Sequence, residues 1–134
     1  MNLIVCLDDR NGMSFFGRRQ SMDRILRERA LQLAKGGPLW MDSYTAGQFD
    51  NVGICVDDDY LRNAPEDAWC FMELGDPEKL MNRVGKLAVF HWNREYPADR
   101  RFPVERFVGT KEPVMEENFE GYSHPQITLE VYHL

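Results

Sequence analysis

Met1-Asn2-Leu3-Ile4-Val5-Cys6-Leu7-Asp8-Asp9, followed by Asn11-Gly12-Met13, is the stretch on which the fold turns. Leu3 to Leu7 form an unbroken apolar run that ends on two aspartates. A strand covered on both faces loses the apolar–polar alternation of a half-exposed one, so this run reads as a central, fully buried strand. Asn11-Gly12 marks the turn after it. The stretch has no basic leader and too short an apolar run for a secretory signal.

Working outward, Met13 to Gln20 reads as a loop mixing aromatics with Arg18 and Arg19. Ser21 is the expected N-cap of a helix, since its hydroxyl can accept from a free first-turn amide. Ile25, Leu26, Leu33 and Ala34 follow at helical spacing, with Ala30 between them. Gly36-Gly37 ends the helix. Pro38 to Met41 reads as a second strand, Ser43 as the cap of a short helix through Phe49, and Val52 to Val56 as a third strand ended by Asp57-Asp58-Asp59. Ala68 to Phe71 is a fourth strand. Asp76-Pro77 opens a helix to about Val84, aspartate capping and proline at the first helical position. Lys86 to Trp92 is a fifth strand. Arg106-Phe107-Val108 reads as β-like, Gly109 to Pro125 as a loop, and Gln126 to Tyr132 as a strand in which Ile127, Leu129 and Val131 alternate with polar residues.

Strands alternating with helices imply parallel β-α-β units, and a β-rich tail implies antiparallel strands added at an edge. The expectation is one α/β domain spanning residues 1–134, a mixed and mainly parallel sheet flanked by helices. An uncovered sheet edge points to a homodimer.

The chain has 134 residues, 43% of them hydrophobic, which suits one globular core. Its net charge of −6 disfavours nucleic acid as a partner, because a polyanion demands a basic face. No apolar stretch approaches a membrane span. Cys6, Cys55 and Cys70 are widely spaced, odd in number and without a CxxC pair. That pattern points to a reducing, cytoplasmic setting and to no structural zinc.

In order and spacing, these segments resemble the dihydrofolate reductases and the related C-terminal reductase domain of the RibD type. Met1 to Met13 looks like the family's opening strand and loop. Met41-Asp42-Ser43-Tyr44-Thr45 resembles its Met-Gly-Arg-x-Thr segment, and Asn51 to Asp58 its next strand. Trp69 to Leu80 is similar to the short strand and helix that follow. Asp99-Arg100-Arg101-Phe102-Pro103 resembles the Asp-x-x-Phe-Pro signature, and Ile127 to Tyr132 the closing strand. The resemblance implies a dihydrofolate reductase-like fold, shortened by about one β-α unit. Between Leu80 and Lys86 there is no room for the Gly-Gly strand end and helix that meet the cofactor pyrophosphate. Asp42-Ser43 stands where the family has Gly-Arg. Asp57-Asp58-Asp59 stands where an arginine often takes the cofactor's extra phosphate, and three carboxylates repel one. Gly36-Gly37 precedes a strand and opens no helix, so it does not replace the missing unit.

The resemblance implies catalytic work for Asp23, the nearest match to the acidic residue that binds and helps protonate the pterin. The plainer alternative is an acidic residue at the second helical position favouring the helix dipole. His91, on the fifth strand beside Trp92, is a candidate acid–base group or a structural hydrogen-bonder. Arg18 and Arg19 precede a helix start and offer an anion site, or belong to a solvated face with Arg24, Arg27 and Arg29. Phe15 and Phe16 offer a cover for a planar ligand, or one of them a staple beneath the helix. Thr45 completes the ligand-binding set through its segment's resemblance. The three histidines form no metal-binding motif, and no metal ligand is assigned. Asp8-Asp9 and Asp57-Asp58-Asp59 would share one sheet edge and offer a hard cation oxygen ligands there, though aspartates also form turns.

The function expected is binding of a small-molecule or nucleotide-like ligand, or interaction with a protein partner, without a standard NADPH site. The ligand would lie between Met13–Gln20, the helix from Ser21, and the strand ends at Asp8 and His91. One alternative is an active pterin/NADPH-type oxidoreductase with an altered cofactor site. Another is a nucleic-acid-processing protein using Arg18, Arg19 and His91. No cofactor is assigned.

Overall fold

A computed structural model describes residues 1–134. Strand β1 (Asn2–Leu7) lies at the centre of a seven-stranded sheet. It pairs in parallel with β6 (Trp69–Phe71) on one side and β7 (Lys86–His91) on the other. Beyond β6 come β4 (Leu39–Met41) and β5 (Ile54–Val56), also parallel. Beyond β7 come β10 (Ile127–His133) and β9 (Met115–Phe119), both antiparallel to their neighbours. The sheet is therefore mixed and mainly parallel, as the sequence predicts.

The apolar run of β1 is unbroken because both faces are covered. Leu3, Val5 and Leu7 enter one core with Leu87 and Val89. Ile4 enters the other with Ala88 and Phe90. Helix α1 (Arg24–Leu33) covers the second face through Leu26 and Ala30. The first face is covered by Leu80, Phe102, Val108 and Tyr60. Each large side chain so buried contributes roughly 1.5–3 kcal/mol.

Several local features differ from the sequence expectation. Met13 to Gln20 is not a plain loop. β2 (Gly12–Phe15) and β3 (Arg18–Arg19) form a hairpin, and β8 (Arg100–Arg101) adds to β2. Phe16 and Gly17 connect the hairpin with φ of +51° and +68°. Positive φ at both turn residues matches the twist of a two-residue hairpin. The helix cap is Asp23 in place of Ser21, and Asp42, not Ser43, caps α2 (Ser43–Ala46). A carboxylate one or two residues away takes the first-turn amides in each case. Helix α3 (Tyr60–Asn63) was not expected; it buries Tyr60 beneath the Asp57-Asp58-Asp59 turn. The segment from Asp76-Pro77 makes a single 3₁₀ turn (Pro77–Leu80), not a helix to Val84.

Arg106-Phe107-Val108 is helical, within α4 (Val104–Val108). Val104, Phe107 and Val108 stand at i, i+3 and i+4 and pack together on the first core. The segment 109–125 contains β9, whose half-buried face is Met115, Glu117 and Phe119. Glu117 stands on that face because Arg29 of α1 reaches it at 3.0 Å, so the alternation is broken in sequence. No helix is long and apolar enough to cross a membrane.

Candidate functional site

Five parallel strands, β5, β4, β6, β1 and β7, present their carboxyl ends along one edge. Such edges collect ligands in open α/β sheets. Here the strand ends carry acids: Asp57 after β5, Asp42 after β4, Glu73 after β6 and Asp8 after β1. The cation arrangement considered from sequence does not form. β6 and β4 separate β1 from β5, so Asp8 and Asp57 stand about 14 Å apart at ordinary strand spacing.

Asp8 is almost wholly buried and fully employed. Its carboxylate accepts from the backbone N–H of Gly12 at 2.8 Å and of Arg10 at 2.9 Å, and from the Gln20 amide at 3.0 Å. Burial pushes its pKa up, but these bonds and the Tyr96 N–H outweigh it and hold the group below the usual range.

Between β1, β2 and the end of β6 lies a small cleft bounded by Cys6, Met13, Arg19, Ser21, Glu73 and Trp92. Its volume is about 10 Å³, room for one water. Arg19 closes it. The Arg19 Nε donates to both oxygens of Glu73 at 3.0 and 3.1 Å, and Nη2 donates to the Tyr44 carbonyl at 3.1 Å. The guanidinium also lies 4.3 Å from the Tyr44 ring centroid. Burial, reinforced by the Glu73 charge, pushes the Cys6 thiol well above its ordinary pKa, so little thiolate forms near neutral pH. The largest cavity, about 500 Å³, opens at the opposite edge, among Lys35, Gly36, Trp40, Trp69 and Lys86.

Beside the cleft runs a buried polar chain. Asp23 Oδ1 accepts from the N–H groups of Ile25 at 2.9 Å, Leu26 at 3.2 Å and Tyr122 at 3.0 Å. Oδ2 accepts from the Ser123 N–H at 2.9 Å and lies 2.9 Å from Nδ1 of His124. Burial pushes the Asp23 pKa up, yet His124 and the amides prevail and hold it far below the usual carboxylate range. An ionised carboxylate only accepts, so Nδ1 carries the proton, and Nε2 presents a lone pair when the ring is neutral. That lone pair meets the Ser21 hydroxyl at 3.0 Å and the Tyr96 hydroxyl at 3.2 Å. The Trp92 ring lies 4.7 Å from the imidazole, centroid to centroid. Gly121 completes the enclosure: a Cβ there would stand 2.6 Å from Asp23 Oδ2.

Asp23 and Arg19 reach the cleft region. Asp23 is the helix cap itself, not an acid at the second position, and every acceptor site on it is taken. His91 is turned to β10, where Nε2 pairs with Glu130. Phe15 and Phe16 stack at 4.1 Å on the hairpin tip, with Phe16 77% exposed and thus no staple. Arg18 is exposed beside them. Thr45 is fully buried and its hydroxyl has no partner. Glu73, Tyr96 and His124 were missed. His124 lies in a polar stretch 101 residues from Asp23, and no local pattern links the two.

Glu73, Asp42 and Asp57-Asp58-Asp59 make these strand ends acidic, which disfavours a phosphate there.

No protein-family model matches the sequence, and no curated protein matches it. Among solved structures, the chain is similar to dihydrofolate reductase from Enterococcus faecalis, complexed with NADP(H) and RAB-propyl. The TM-score is 0.67 at 13% identity, covering 98% of this chain and 94% of that one. The fold is dihydrofolate reductase-like.

Proposed function

We propose that this dihydrofolate reductase-like chain binds a small, planar, nucleotide-like molecule at the carboxyl edge of its sheet, without a nicotinamide cofactor. The Arg19–Glu73 pair carries the reading. A planar guanidinium grips Glu73 through both carboxylate oxygens. Only its Nε–H makes that contact, shared between the two oxygens, whereas the amidine edge of a heterocyclic base offers two parallel N–H donors to the same carboxylate, so such a base can replace the guanidinium on Glu73. Arg19, released, turns with Arg18 to an anionic group of the ligand. Phe15 and Phe16 cover the ring, and the unpartnered Thr45 hydroxyl lies within the segment that flanks Tyr44. The free cysteines suit a cytoplasmic setting.

The test is thermal stability against nucleotides, folates, flavins, NADPH, NADH and divalent cations. A ligand at about 100 times its dissociation constant adds roughly 2.7 kcal/mol. The expected result is a rise of several degrees with a phosphorylated base, lost in Glu73→Gln, and none with NADPH. A shift with NADPH alone, or with nothing in the panel, overturns the reading.

A further inference from the structure

Ser21, His124 and Asp23 stand in a hydrogen-bonded series at the rim of the cleft, and nothing in the ligand-binding reading uses it. We propose that the series is a nucleophilic relay, with Ser21 as an acylatable serine that hydrolyses small carboxylic esters.

The geometry has the parts such chemistry needs. The nucleophile's oxygen is 3.0 Å from Nε2 of the base, and the base's other nitrogen is 2.9 Å from a carboxylate. His124 and Asp23 are buried, whereas Ser21 is only partly so; the cleft it borders has room for one water while Arg19 stays on Glu73, so an ester reaches the hydroxyl when that pair opens. Asp23 is kept ionised by its amide bonds, which fixes the imidazole tautomer and stabilises the imidazolium formed during attack. Trp92 packs against the imidazole at 4.7 Å, tilted by 33°. The backbone N–H groups of Ser21 and Met22 have no acceptor within the chain. A purely structural role explains less. Asp23 caps the helix and anchors residues 122–123 through their amides and the Ser123 hydroxyl, and neither task requires His124 to face a serine hydroxyl.

In the reaction, Ser21 Oγ attacks the ester carbonyl carbon and its proton passes to Nε2 of His124. The tetrahedral adduct collapses, the carbon–oxygen bond to the alcohol breaks, and the departing alcohol takes that proton. Ser21 is left as an acyl ester. Water then attacks the ester carbonyl, giving its proton to Nε2, and the proton returns to Ser21 Oγ as the carboxylic acid leaves. No oxidant or reductant enters. Tyr96 shares Nε2 at the longer distance of 3.2 Å and acts as a positioning residue.

The inference shares the cleft with the proposed ligand site but not its ligand, so the two fail separately. The experiment is labelling of the full chain with a fluorophosphonate, followed by peptide mass spectrometry, together with p-nitrophenyl acetate hydrolysis. One adduct is expected, on Ser21. Ser21→Ala abolishes it, and Ser43→Ala, altering an exposed serine of α2, leaves it unchanged. Replacing His124 by Gln, in protein shown folded by its melting curve, slows labelling by at least about 100-fold. If His124→Gln does not fold, Ser21→Ala and the mapped adduct decide the matter. No adduct, an adduct elsewhere, or a Ser21 adduct formed equally fast without His124 overturns the proposal, whatever the nucleotide panel shows.

Discussion

Oδ2 of Asp23 lies 2.9 Å from Nδ1 of His124, joining the start of the first helix to the loop before the last strand. Asp23 therefore ties secondary structure to tertiary structure. Its folded pKa lies below the unfolded value of about 3.9, so the stability it contributes is complete above that value and lost as pH falls through the folded pKa. Asp23→Asn is expected to destabilise the protein at pH 7 by about 2–4 kcal/mol. The gap to wild type narrows below about pH 4, where the unfolded chain takes up a proton that the native carboxylate still refuses. Urea unfolding of both proteins at pH 7 and pH 3 checks this. An equal gap at both values refutes it.

Gly121→Ala tests the enclosure around the same carboxylate. The new Cβ would stand 2.6 Å from Asp23 Oδ2 and 2.9 Å from Ile127 Cδ1. A loss of about 1–3 kcal/mol is expected, as for overpacking elsewhere. Gly17→Asn at the hairpin tip meets no neighbour and keeps a residue type tolerant of positive φ. Its melting temperature is expected to stay close to wild type.

Thr45→Val is expected to stabilise the free protein by about 1 kcal/mol. It removes a buried hydroxyl that has no partner, while the backbone cap from Asp42 remains. Thermal denaturation reads the change directly.

Native-state alkylation at pH 7.5 is expected to reach Cys55 first. Burial and Glu73 raise the Cys6 thiol, and burial pushes Cys70 up to about 11. Neither holds an appreciable thiolate fraction at that pH. Mass spectrometry of iodoacetamide-treated peptides gives the order, and modification of Cys6 before Cys55 contradicts it.

The strands and their order were legible because covering on both faces writes itself into Leu3–Leu7 and Lys86–Trp92 as unbroken apolar runs. Elements ruled by a distant partner were not. Glu117 on the half-buried face of β9 makes sense only beside Arg29, and Val104, Phe107 and Val108 read as a helix only against the core, distant in sequence, on which they pack. The site shows the same limit. Asp23 and Arg19 were visible by position, whereas their counterparts His124 and Glu73 are 101 and 54 residues away. Local propensity carries no record of such pairs.

The long span between Asp23 and His124 also has a consequence for biosynthesis. A ribosome releases Asp23 about a hundred residues before the loop that encloses it. Until then the carboxylate lies in open water, and Ser21 is an ordinary alcohol. Only when β10 pairs with β7 is His124 carried to both, so assembly of the buried polar chain is coupled to completion of the sheet. Prematurely terminated copies, lacking that last strand, would retain the cleft residues but none of the chemistry inferred for them.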